Sequence, residues 1–286
     1  MEQKLRKKSP VVYSIVHYFL LVAVSVFAIF PLFTVLITSF KGNEQVVLDP
    51  VSFVPKPFST EGWGKVFSDF PIWIYLRNTL ILTISNVVGV TFTSAMVAYA
   101  FARFNVVHKK YIFAAMLAMM MVPGTVLQIP IYELYVGFGW INSYWPFILP
   151  AFLGGGITNV FLIRQFFLSL PKALFEAAEI DGANEFRIFL TVALPLSRAV
   201  LVTVAIFTFT GVWNDFFSPL LYLTDPNRYT LGYGLYIFYS QCKIGTNRAW
   251  NVIAASSLLV ALPVIVIFFC AQKYFVEGIA LTGVKS

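Results

Sequence analysis

The sequence predicts an all-α polytopic membrane protein with six transmembrane helices and one helical elbow between them on the cytoplasmic side. Three observations predict it. Of 286 residues, 59% are apolar and only 12% charged, whereas soluble domains carry about 25% charged residues. Aromatic residues make up 17% of the chain, more apolar surface than one soluble domain of this length can hide and enough to exclude disorder. The few charges also fall between apolar runs of the roughly 20 residues that cross a bilayer as a helix.

The first span covers residues 11–40, with no charge between Lys8 and Lys41. Lys4, Arg6, Lys7 and Lys8 precede it like the front of a signal peptide. The run is too long for a secretory h-region, and no small-x-small cleavage site follows, so an uncleaved helix is expected. The second span, 76–101, carries a row of small residues at Ser85, Gly89 and Thr93 suited to close helix packing. Thr79, Thr83, Asn86 and Thr93 share helical spacing on it. They suit interhelical hydrogen bonds, or one wall of a polar pathway.

The third span, 111–132, is broken by Pro123-Gly124, and the fourth, 144–163, is loosened by Gly154-Gly155-Gly156. The fifth, 199–223, has Pro219 near one end, and the sixth, 252–271, has Pro263 inside. Such breaks survive in a membrane only where neighbours or a wet cavity satisfy the freed backbone groups.

Topology follows from Lys and Arg. With the N-terminus inside, segments 1–10, 102–110, 164–198 and 272–286 hold 13 of these residues, and the outer segments hold six. Both termini are therefore expected in the cytoplasm. The net charge of +7 reflects orientation in a bilayer, and no nucleic-acid partner is expected. Two Cys without a C-x-x-C and two distant His give neither a disulfide framework nor a metal site.

The longest inner segment, 164–198, holds four of the thirteen acids: Glu176, Glu179, Asp181 and Glu185. Pro171 pre-sets the first turn of a short helix. Ala177 and Ala178 keep that helix slim, and Gly182 supplies a positive φ at its end. A second short helix then leads to Leu194-Pro195. Acids are costly in lipid and natural in a protein groove, so the elbow reads as a docking surface. A solvated connector is the plain alternative.

These residues resemble the EAA loop of ATP-binding-cassette importer permeases. Glu176-Ala177-Ala178 is followed by Gly182 six positions after the Glu, then nine residues, Val192 where the family has Ile, and Leu194-Pro195. Trp213-Asn214-Asp215 is similar to a segment of the carbohydrate-type permeases, as is the closing Gln272 to Lys285 stretch. Pro55, Phe58, Trp63, Phe67 and Arg77-Asn78-Thr79 also fit that subfamily's first outer loop. The chain resembles the six-helix subunit of the maltose-transporter-type pair, with the type I importer permease fold.

The resemblance implies an organisation of an N-terminal helix and outer loop over 1–75, then a permease core over 76–286 with its coupling loop at 171–198. It implies that Glu176, Ala177, Ala178, Asp181, Gly182, Leu194 and Pro195 couple to a separate ATPase dimer. It further implies a second permease subunit, a solute-binding protein outside the membrane and a sugar substrate. The host membrane would be the inner or plasma membrane of a prokaryote. The chain would bind no cofactor, since ATP belongs to the partner. No G-x-x-x-x-G-K-[ST] occurs in the sequence. With no nucleophile–His–acid set either, it is expected not to be an enzyme.

Trp213, Asn214, Asp215, Asn86 and Thr83 are the candidate substrate pathway. Asp215 is the one acid inside an apolar span, where a functional role is the default reading. Helix packing is the alternative at each of them. The loop 224–250, rich in Tyr and Asn, fits a binding-protein contact or a membrane-interface belt. The tail 281–286 fits an ATPase contact. Two rival functions stay open: a secondary transporter working alone, and a permease for a non-sugar solute such as glycerol phosphate.

Overall fold

The computed structural model describes residues 10–244 and 249–283. The basic cluster at Lys4 to Lys8 and residues 284–286 of the tail lie outside the described residues, as does Asn247. Every regular element among the described residues is helical apart from one isolated bridge, Lys41 to Phe58.

Chain contacts divide the molecule into two compact units, Met1–Phe70 with Tyr239–Leu259, and Pro71–Phe238 with Val260–Ser286. In the first unit α1 spans Pro10–Ser39 and leaves its apolar side chains exposed, as a helix facing lipid or another membrane helix must. Two short helices follow, α2 (Asn43–Leu48) and α3 (Glu61–Asp69). The loop between them is fastened by hydrogen bonds. Lys41 is buried and donates to the carbonyls of Asp49 and Pro50, both at 3.2 Å. Gln45 donates to the Val54 carbonyl and accepts from the Lys56 amide. Trp63 donates to Ser39 Oγ at 3.2 Å. Gly62 lies against the backbone of Asn251, where a Cβ would meet the carbonyl oxygen at 2.9 Å.

The second unit is built around α4, Ile72–Arg103, an unbroken helix of 32 residues. After it come α5 (Lys109–Met119), α6 (Gly124–Gly137) and α7 (Trp145–Ile148). A 3₁₀ turn at Leu149–Phe152 leads to α8, Ile157–Ser169. The elbow then holds α9 (Lys172–Ile180) and α10 (Glu185–Ile188), a π turn at Phe189–Ala193, and α11 (Leu194–Leu196). The chain continues as α12 (Arg198–Trp213), α13 (Phe217–Tyr222), α14 (Leu231–Ile244) and α15 (Trp250–Gly283).

Helix α4 packs against α8 and α12. The small residues on α4 make this close: Ala95 and Ala98 are fully buried among Val160, Ile163, Phe189 and Val204. Gly89 lies under the Phe152 ring, where a Cβ would come within 2.9 Å of it. Thr93 donates to the Ala151 carbonyl at 3.1 Å. The row of small residues legible on the second span is thus a packing surface.

Among the described residues four helices are long and apolar enough to cross a membrane, or six if each of two bent pairs is one span. The bends are larger than single spans imply. At Pro123-Gly124 the chain turns 96° between α5 and α6, and before α12 it turns 81°. The expected fifth span does not run on to residue 223. It stops at Trp213, and a separate helix starts at Phe217. The fourth is opened by Gly154, Gly155 and Gly156, all at positive φ.

Candidate functional site

The elbow is defined by three boundaries. Pro171 precedes α9. At its end Gly182, at φ +78°, donates to the Glu179 carbonyl, and Ala183 donates to that of Ala178, both at 3.0 Å. This is the Schellman closure, which needs a residue in the left-handed region. Two residues later Asn184 caps α10, its Oδ1 accepting from the Arg187 amide at 2.8 Å.

Its acids divide into two pairs. Arg103, the last residue of α4, is ion-paired with Glu179 and lies 3.5 Å from Glu185. Its guanidinium also stands 5.5 Å over the Phe175 ring. Tyr99, one turn earlier on α4, donates to Glu185 Oε2 at 2.6 Å. Phe175 is buried beside Tyr99, which also packs on Phe167 and Phe189. Glu179 and Glu185 are therefore turned toward α4, with their side chains still 46% and 40% exposed. Glu176 and Asp181 face outward with Ala177 and Gly182, all exposed. Ile180 is 86% exposed and Phe186 58% exposed on the same elbow. The open face combines apolar side chains with two carboxylates that make no ion pair among the described residues, a composition that fits a groove in another protein.

Other predicted residues of the elbow sit deeper. Ala178 and Leu194 are half-buried and pack against the hydrophobic core. Pro195 is exposed, in α11 just before the 81° bend.

The candidate pathway residues do not converge on one cavity. Trp213 is 1% exposed, stacked on Phe209, and donates to the Val260 carbonyl at 2.9 Å. Its ring is enclosed in packing within the chain. Asp215 lies at the joint after α12 rather than within a span. Its Oδ1 accepts from the amides of Phe217 and Ser218, both at 3.0 Å, and so caps α13. Asn214 is exposed and donates to the Thr210 carbonyl. On α4, Asn86 is half-buried and donates to the Leu82 carbonyl at 2.8 Å. Thr83 is buried, and its hydroxyl makes no hydrogen bond among the described residues.

The near end of α4 carries a feature that sequence reasoning touched only as a likeness. Asn78 is fully buried and donates to the carbonyls of Asn227 and Tyr229, at 2.8 and 3.0 Å. Thr79 Oγ1 accepts from the Leu231 amide at 2.8 Å. These two side chains hold the turn before α14 to α4.

Comparison with known proteins agrees with this architecture. An arabinooligosaccharides transport system permease protein, AraQ of Bacillus subtilis, is 32% identical over 277 residues, covering 96% of each chain. The galactooligosaccharides transport system permease protein GanQ of the same organism is 32% identical over 272 residues, covering 94% of each. A solved bacterial ABC transporter involved in import of the acidic polysaccharide alginate has a chain that superposes with a TM-score of 0.80. That chain is 23% identical, with 94% of this chain and 98% of that one covered, so the likeness is one of fold. Residues 91–280, which include the last 13 residues of α4, all of α5 to α14 and most of α15, match the family described as the binding-protein-dependent transport system inner membrane component. With its elbow, its helical core and its relatives all in agreement, the chain belongs to that family of ABC importer permeases.

Proposed function

We propose that this chain is one of two permease subunits of an ATP-driven importer for a sugar or oligosaccharide, and that its elbow seats on a separate ATPase. The observation that carries the reading is the two-sided elbow. Its inner face is bound to α4 through Arg103, and its outer face offers Glu176, Ala177, Ile180 and Asp181. A surface of this kind passes a push from a partner into the helix core. Positive-inside counting supports a cytoplasmic elbow and cytoplasmic termini.

In this reading the chain performs no bond chemistry and ATP is bound by the ATPase dimer. A solute-binding protein delivers the substrate from outside, and the two permeases alternate access to it. The relatives that carry oligosaccharides support the substrate class. Thr83, Asn86 and Asn214 are the polar groups proposed for the pathway.

Co-expression with the chromosomal neighbours tests the assembly. The ATPase, a second permease and the binding protein are expected to co-purify with the intact chain. Gly182→Val, which blocks the left-handed turn, is expected to lower ATPase recovery or transport at least tenfold. Recovery of the chain without any ATPase overturns the reading. Uptake driven by an ion gradient alone would point to a secondary transporter, and uptake of glycerol phosphate in place of oligosaccharide would overturn the sugar class.

A further inference from the structure

We infer that Arg103 and Tyr99 form a joint that makes the elbow move as one body with α4, so that they are positioning residues for coupling although neither lies on the partner-facing surface. The inference rests on the reading of the elbow as the ATPase-docking element.

The geometry is specific. Glu179 lies in the last turn of α9 and Glu185 opens α10, so the two carboxylates stand on opposite sides of the Asp181–Gly182 turn. One guanidinium stands against both: it is ion-paired with Glu179, and its Nε lies 3.5 Å from Glu185, a charge contact without hydrogen-bond geometry. A broad planar cation spans the two carboxylates, where a lysine ammonium is a single compact charge. Tyr99 adds a hydrogen bond to Glu185 from the same helix. The Arg103 side chain is 24% exposed, while those of Glu179 and Glu185 are 46% and 40% exposed, so solvent screens the ion pair in part and the Tyr99 hydrogen bond and the Phe175 packing add to it. Phe175, packed below the guanidinium, fills the angle between α9 and α4.

Two consequences follow. Without Arg103, Glu179 and Glu185 are left as neighbouring like charges, which drives the two arms of the elbow apart. With it, a displacement of either arm is delivered to the end of α4 rather than absorbed in the Gly182 turn. The hinge that Gly182 provides locally is thereby locked from the side.

The test uses the complete transporter, reconstituted in lipid vesicles with its ATPase, second permease and binding protein. Three quantities are measured: co-purification of the ATPase, ATP hydrolysis, and substrate transported per ATP hydrolysed. Arg103→Met is expected to keep the ATPase bound and hydrolysing while transport per ATP falls about tenfold. Tyr99→Phe, which removes one hydroxyl without changing the ring, is expected to lower the ratio about threefold. Exchanging the partners in Arg103→Glu with Glu179→Arg restores one opposite-charge contact and is expected to recover part of the ratio, which a purely structural role would not do.

An unchanged ratio in Arg103→Met overturns the joint. If that variant fails to assemble, an unchanged ratio in Tyr99→Phe overturns it instead. Absence of the ATPase from the wild-type preparation overturns the docking reading itself, a separate outcome.

Discussion

Asp215 shows how much a single backbone break changes the meaning of a residue. Inside a continuous apolar run an acid is expensive and reads as functional. At the end of α12 it becomes a cap, its Oδ1 taking two amide protons from α13. Removing such a cap costs about 1 kcal/mol. Asp215→Ala is therefore expected to lower the thermal stability of the detergent-solubilised protein, and Asp215→Asn, which keeps the acceptor oxygen, to preserve both stability and transport. Loss of transport in the Asn variant at unchanged stability would show that the charge itself is needed. The clue in the sequence is slight: Asp215 with Pro219 four residues on hints at a helix start, but the apolar run around it masks the hint. Trp213 is similar. Its type suits a sugar face, and only the fold reveals that Val260 and Phe209 enclose it.

At the scale of elements, helix boundaries made of special residues were legible, and long-range partners were not. Pro171 and Gly182 each act within a few residues, so the first arm of the elbow can be drawn from the chain alone. The partition of its four acids cannot, because Tyr99 meets Glu185 across 86 positions. The three glycines at 154–156 announce a break, yet only the structure separates their roles. Gly155 sits at φ +67° with α4 close above it, and a Cβ there would meet Ser94 Oγ at 2.1 Å and the Val90 carbonyl at 2.5 Å. Overpacking costs about 1–3 kcal/mol, and the left-handed backbone costs about 1–2 kcal/mol more for any L side chain. Gly155→Ala is expected to cut the yield of folded protein sharply. Gly211, within α12 and with open space where its Cβ would be, is the control. Its change to Ala is expected to be neutral or to stabilise by up to about 1 kcal/mol.

For the molecule as a whole, class and broad architecture were present in composition and hydropathy, because a bilayer leaves few options for backbone polar groups. The order of the spans survives in α1, α4, α8 and α15. What hydropathy cannot convey is direction. A run of apolar residues looks the same whether the helix goes straight or turns 96°, and proline or glycine marks only where it is free to turn. The uneven sharing of polar contacts is equally silent. Helix α4 holds the turn before α14 near one end and the elbow at the other.

That double fastening makes α4 a ruler for the membrane. At about 1.5 Å per residue, Asn78 and Tyr99 are roughly 32 Å apart along its axis, close to the roughly 30 Å of hydrocarbon in an ordinary bilayer. In a bilayer crossed upright by α4, each fastening would fall near a boundary between oil and water, where polar groups are cheap to place but a few ångströms of thickening would submerge one of them. Transport in vesicles of graded acyl length is expected to peak at one thickness and fall several-fold on both sides, and a flat profile would count against such matching. Lipid length then becomes a control on this protein as direct as any substitution, because it sets how upright the helix can stand.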